Sequence, residues 1–202
     1  PASLFAQLGG TPDAGGTWTF GGAAHSSTFT PGTDAAGAYA YMVAGTAPCP
    51  AATAAITVTV NAMPDAGISG GLTLCSSSPS TPLMSGLNGT PDSGGFWTAP
   101  GGGPATGTFT PGASSTGDYT YTVNGIAPCP TVSATVTVSV VTNPDAGTPG
   151  NATLCTSDAP ILLFSQLGGA PDAGGSWSGP SPVAGGQYDP ATMSPGVYTY
   201  TI

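Results

Sequence analysis

The sequence predicts an all-β chain built from tandem antiparallel β-sandwich modules of about 80 residues. Three observations predict it. A motif of the form Leu-x-Gly-x-Pro-Asp-x-Gly-Gly-x-Trp occurs three times, ending at Trp18, Trp97 and Trp177, which stand 79 and 80 positions apart. A fixed period of this kind decides architecture before any single element is read. Apolar and polar residues alternate strictly in the segments that separate the motifs, the mark of strands with one buried and one wet face. Finally, 33 Gly and 22 Pro punctuate 202 residues, which reads as many short strands joined by turns.

One complete module fits, residues 64–143, flanked by partial modules at 1–63 and 144–202. The chain starts and stops inside a module, so it is expected to be a window cut from a longer array. Pro64-Asp65-Ala66-Gly67 and Pro144-Asp145-Ala146-Gly147 open successive modules. Pro presets φ, Asp bonds its own backbone and Gly accepts positive φ, so these read as joints.

Within the full module, Leu72-Thr73-Leu74-Cys75 predicts a first strand, echoed by Ala152-Thr153-Leu154-Cys155. Residues 83–87 predict a second strand, and the turn Pro91-Asp92-Ser93-Gly94-Gly95 feeds a third carrying Trp97. Phe109, with equivalents Phe29 and Tyr188, precedes a Pro and is placed to cover a core. In residues 117–123, Tyr119, Tyr121 and Val123 face one way and Asp118, Thr120 and Thr122 the other. The last strand alternates most clearly: Val132, Ala134, Val136, Val138 and Val140 against Ser and Thr. About seven strands per module, with turns every 8–12 residues, is the profile of an immunoglobulin-like sandwich.

Composition excludes several functions. The chain has nine Asp, no Glu, no Lys and no Arg, for a net charge of −9. Nucleic-acid binding needs cations to neutralise phosphates, and attraction to an anionic membrane needs them too. Neither is expected, and no apolar run is long enough to span a membrane. No Ser-His-Asp set and no carboxylate pair recurs with the period, so no enzyme is expected. His25 stands alone in a Gly/Ala/Ser stretch and reads as solvated.

Taken together, the Leu-Gly-Gly-Thr-Pro-Asp-Ala-Gly-Gly-x-Trp motif, Phe-Thr-Pro-Gly, Gly-x-Tyr-x-Tyr-x-Val-x-Gly-x-Ala-Pro-Cys-Pro and the Val/Thr strand resemble a known type. They are similar to the tandem Ig-like or PKD-like repeats of very long surface and secreted proteins of Bacteroidota-type bacteria. Such proteins often carry a gliding-motility-associated or type IX secretion C-terminal domain. The resemblance covers the whole chain. It implies export, and a role in adhesion or fibre formation rather than catalysis.

The four cysteines fall two per period: Cys49 and Cys129 before the last strand, Cys75 and Cys155 in the first. Small exported modules gain from a covalent staple. Loop entropy gives roughly 4.2 kcal/mol for Cys75–Cys129 and roughly 3.5 kcal/mol for Cys49–Cys75 or Cys129–Cys155, too close to choose between them. In collinear modules the latter pairs lie on the order of 25 Å apart, whereas a bridge needs Cα atoms within about 7 Å. The expectation is Cys75–Cys129, with Cys49 and Cys155 paired outside the window. One His and no CxxC speak against zinc.

Trp18, Trp97 and Trp177 read as core aromatics rather than sugar platforms, and Tyr39, Tyr119 and Tyr198, like Tyr41, Tyr121 and Tyr200, as inward-facing rings with the hydroxyl bonded to backbone. Asp13, Asp65, Asp92, Asp145 and Asp172 are turn residues first. Calcium at module joints is the alternative, but it wants about six to eight oxygens and each turn offers one Asp, so no cofactor is expected. Asn88 and Asn151 fit the N-x-[ST] acceptor pattern, and outward hydroxyls such as Thr135 and Thr137 could carry O-linked glycan. The functional expectation is an extracellular or cell-surface repeat protein that self-associates into a stalk or filament. An adhesin or carbohydrate-binding array gripping surface glycans is the alternative.

Overall fold

The computed structural model describes residues 1–202, and the chain is all-β, with only short 3-10 turns besides the strands. Contacts divide it into two compact units. One holds Pro1–Gly67 with Thr90–Gly95 and Tyr121–Ala134, the other Ile68–Gly89, Phe96–Thr120 and Thr135–Ile202. No helix is long and apolar enough to cross a membrane.

The first repeat carries a four-stranded sheet in the order Ala23–His25, Thr17–Phe20, Gly37–Val43, Ala52–Val58. All neighbours are antiparallel, with Trp18 opposite Tyr41 and Tyr39 opposite Ile56. A small separate ladder joins Ala2–Ser3 to Thr28–Phe29. Leu4, Trp18, Phe29, Tyr39 and Tyr41 are buried together, with Phe5, Leu8, Phe20, Val43, Ile56 and Val58 packed around them. The alternation of Gly37–Val43 does this directly, because residues two apart share a face.

The central repeat has seven strands. Five form one sheet in the order Pro104–Ala105, Phe96–Thr98, Gly117–Val123, Val132–Val141, Gly70–Cys75. The other two, Thr81–Pro82 and Thr108–Phe109, pair antiparallel. Val136, Val138, Ala134, Tyr119, Tyr121, Val123, Trp97, Leu83 and Phe109 are buried. Gly70–Cys75 runs parallel to Val132–Val141, in register from Val136 opposite Gly70 to Val141 opposite Cys75. That pairing departs from the all-antiparallel expectation. The sequence shows which residues alternate but not the direction of the neighbouring strand.

Two expected strands are absent. Residues 83–87 are not a strand: Thr81–Pro82 is followed at once by a 3-10 turn, Leu83–Gly86. The Ser85 hydroxyl donates to the Pro82 carbonyl at 2.6 Å and the Leu87 N–H to the Met84 carbonyl at 3.2 Å, which closes the turn and leaves Leu83 fully buried. The third repeat repeats this at Leu163–Gln166. Residues 152–155 are also not a strand, unlike their counterpart Gly70–Cys75. That counterpart is an edge strand whose one sheet neighbour is the strand at 132–141. The third repeat retains the ladders Ser176–Ser178 with Thr199–Thr201 and Ile161–Leu162 with Gln187–Tyr188.

Candidate functional site

Each repeat is built around a tyrosine that grips the Pro-Asp-x-Gly-Gly turn. In the central repeat the Tyr121 hydroxyl donates to the Asp92 carbonyl at 2.7 Å and accepts the Gly95 N–H at 2.9 Å. Tyr41 does the same to Asp13 and Gly16, both at 2.8 Å, and Tyr200 to Asp172 and Gly175, at 2.7 and 2.8 Å. The ring comes close against the turn's last residue, which is why that residue is Gly. A Cβ on Gly95 would stand 2.6 Å from the Tyr121 ring and 2.5 Å from the Thr122 carbonyl oxygen. Trp18 packs on Tyr41 with centroids 5.0 Å apart, and Trp177 on Tyr200 at 5.1 Å.

A second tyrosine ties down the other end of the same strand. Tyr39, Tyr119 and Tyr198 each donate to a carbonyl four residues upstream, on Ala35, Ser115 and Ser194, at 2.7 to 2.8 Å. Burial of the ring, with the Asp34 carboxylate second, raises the Tyr39 hydroxyl above a tyrosine's usual pKa of 10.0. His25 is not alone in a loop. It ends the strand Ala23–His25, its Nε2 lies 3.4 Å from Asp34 Oδ1, and its ring stands edge-on to Tyr39 at 4.8 Å.

The aspartates of joint and turn hold each other through backbone. Asp92 Oδ2 accepts the Asp65 N–H at 2.9 Å, while the Asp92 N–H donates to the Asp65 carbonyl at 2.8 Å. Asp145 and Asp172 repeat the pair at 3.0 and 2.8 Å. Asp65 and Asp145 Oδ1 each cap a glycine two residues on, at 2.7 Å. These carboxylates therefore face N–H donors, and no group of three or more acidic, His or Cys side chains gathers where a cation could sit.

Trp18, Trp97, Tyr39 and Tyr119 are buried, and Trp177 and Tyr198 half-buried. With Trp97 only 8 % exposed, its ring has no free face on which a sugar could stack. Asn88 is exposed but bound into a bridge with Ile68, and Asn151 is exposed. The Thr137 hydroxyl is exposed and donates to Asp118 at 2.7 Å, while Thr135 is half-buried.

No bridge joins Cys75 to Cys129. All four thiols are free. Cys75 lies opposite Val141, the last residue of Val132–Val141, whereas Cys129 precedes the first. Gly70–Cys75 runs parallel to its partner strand, a direction invisible in the sequence.

The third repeat also holds a groove of about 750 Å³, lined by Leu154, Ile161, Leu163, Trp177, Tyr198 and Tyr200 among others. In the central repeat, Val136 and Val138 are 0 % and 2 % exposed and Leu83, the counterpart of Leu163, is buried. The groove is thus an uncovered core, not a polar site shaped for a ligand. No family model matches the sequence, and none of the curated proteins compared with it does.

Proposed function

We propose that this chain is part of an extracellular or cell-surface array of Ig-like β-sandwich modules, a structural repeat protein whose task is reach, as a stalk or filament. The observation that carries the reading is the threefold recurrence of one clamp, with Tyr41, Tyr121 and Tyr200 on Asp13, Asp92 and Asp172. A structure copied with its half-buried hydrogen bonds intact is copied for architecture. Two further features support the Ig-like assignment. Tyr119 bonds back to the chain four residues upstream, as the tyrosine corner of such sandwiches does. The five-stranded sheet contributes the buried Val136 and Val138, and the Thr81–Pro82/Thr108–Phe109 ladder the buried Phe109, with Leu83 directly after it.

Stacked repeats contribute length in proportion to their number, and a surface almost free of charge but rich in Ser and Thr suits self-association and O-linked glycan. Electron microscopy of chains carrying increasing numbers of residues 64–143 tests the reading. Contour length should rise linearly, on the order of 35 Å per repeat given the length of the longest strand. Globular particles whose width grows slowly with repeat number would overturn it.

A further inference from the structure

The four free thiols fall into two environments that become one when repeats are overlaid. Cys75 ends its strand opposite Val141, and the Ser76 N–H next to it donates to the Val141 carbonyl at 2.8 Å. Cys75 is therefore at the closing end of its module, exposed. Cys129 is at the opening end. Its Sγ–H points to the Asn61 carbonyl at 3.5 Å, and the Asn61 side chain donates to the neighbouring Ala127 carbonyl at 2.9 Å. Asn61 and Val141 are the same position of the repeat, each three residues before the Pro of Pro-Asp-Ala-Gly. One cysteine approaches that position from the module behind it, the other from the module ahead.

We propose that wherever one repeat follows another, the first-strand cysteine of the earlier module forms a disulfide with the Ala-Pro-Cys-Pro cysteine of the later one. This rests on the tandem-array reading. Adjacent parallel strands lie about 4.8 Å apart, so a cysteine at the place of Cys75 would stand beside Asn61, the residue that Cys129 touches, and a disulfide tolerates Cα atoms up to roughly 7 Å apart. The sulfur of Cys129 already reaches the Asn61 backbone. Within residues 1–202 neither Cys75 nor Cys129 has such a partner. The position matching Cys75 one repeat earlier precedes Pro1, and the one matching Cys129 one repeat later follows Ile202.

In the reaction each thiol gives up its proton, a sulfur–sulfur bond forms, and two electrons reduce the disulfide of an oxidant, such as oxidised glutathione or a thiol–disulfide oxidoreductase, to two thiols. The product is a second covalent connection across each joint, beside the peptide chain itself. It would limit bending at the joint without crossing the core of either module.

The test uses a protease that cleaves before Asp. It leaves Cys49, Cys75, Cys129 and Cys155 in separate fragments, 34–64, 65–91, 118–144 and 145–157. The chain is lengthened at its start by a copy of residues 64–79, which restores a first strand and its cysteine to the first repeat, and is oxidised with a glutathione redox mixture. The expected product joins the added cysteine to fragment 118–144, two hydrogens lighter than the separate peptides, and is lost in Cys129→Ser. Linkage of the added cysteine to fragment 34–64 or 65–91, or a free Cys129, overturns the proposal. A second arm keeps the original length and carries Asn61→Cys, which should link to Cys129. If this link forms and the first does not, the tandem stacking is wrong. If neither forms, the placement of Cys129 against the joint is wrong. In the unsubstituted chain all four thiols should stay titratable, and a Cys75–Cys129 link there would equally overturn the proposal.

Discussion

The Tyr121 hydroxyl and the Asp92 carbonyl meet at 2.7 Å, across 29 residues of sequence, and the same bond joins Tyr41 to Asp13 and Tyr200 to Asp172. It fixes the turn that leads into the Trp-bearing strand. Tyr121→Phe keeps the ring and removes a donor and an acceptor, leaving the Asp92 carbonyl and the Gly95 N–H without this partner. The expected loss is about 1–3 kcal/mol, read as a lower urea midpoint with an unchanged slope.

Gly95→Ala should cost at least as much, because the added Cβ meets both the Tyr121 ring and a carbonyl. Gly94→Ala places its methyl in open space, but at φ +90, so its penalty comes from backbone strain alone. Ranking the two variants by thermal unfolding checks the clamp. An equal or milder effect at Gly95 would contradict the close approach.

Leu83 and Ile126 are both large aliphatics, 0 % and 70 % exposed. Leu83→Ala should cost about 2–5 kcal/mol. Ile126→Ala should stay within about 0.5 kcal/mol. Denaturant titration of the two variants separates core from surface in a repeat where hydropathy alone would not.

The raised pKa of Tyr39 has a sign that can be read. The folded state disfavours the phenolate, so its contribution to stability is full below a free tyrosine's pKa, about 10, and is lost as pH rises through the higher folded value. Unfolding at rising alkaline pH should therefore be accompanied by a late tyrosinate absorbance step, and Tyr39→Phe should remove that step. Asp34→Asn should move it only part of the way back, because burial is the larger cause.

Amide exchange should be slower at Phe96–Thr98 than at the equivalent Ser176–Ser178. The first lies inside a five-stranded sheet, and the second in a two-stranded ladder beside an open groove. Sheet closure of this kind sets local opening free energies. Equal rates would mean that the strand at 132–141 contributes little to the core.

Much of this was legible from side-chain pattern. Ala134, Val136 and Val138 turn inward as their spacing demands, and the Pro-Asp-x-Gly-Gly segments are turns because their residues suit nothing else. What escaped depended on partners far away in sequence. Leu83 reads as a strand residue, yet Ser85 folds its segment into a 3-10 turn. His25 looks solitary until the chain returns with Asp34 and Tyr39. The direction of Gly70–Cys75 relative to Val132–Val141, parallel and not antiparallel, leaves no trace in composition or spacing.

That direction has a mechanical meaning. A module whose opening and closing strands run the same way, side by side, is entered at one end and left at the other. In the proposed array, tension would pull those two strands past each other. The ladder from Val136–Gly70 to Val141–Cys75 is loaded in shear, all its rungs sharing the force at once, instead of being peeled open one bond at a time.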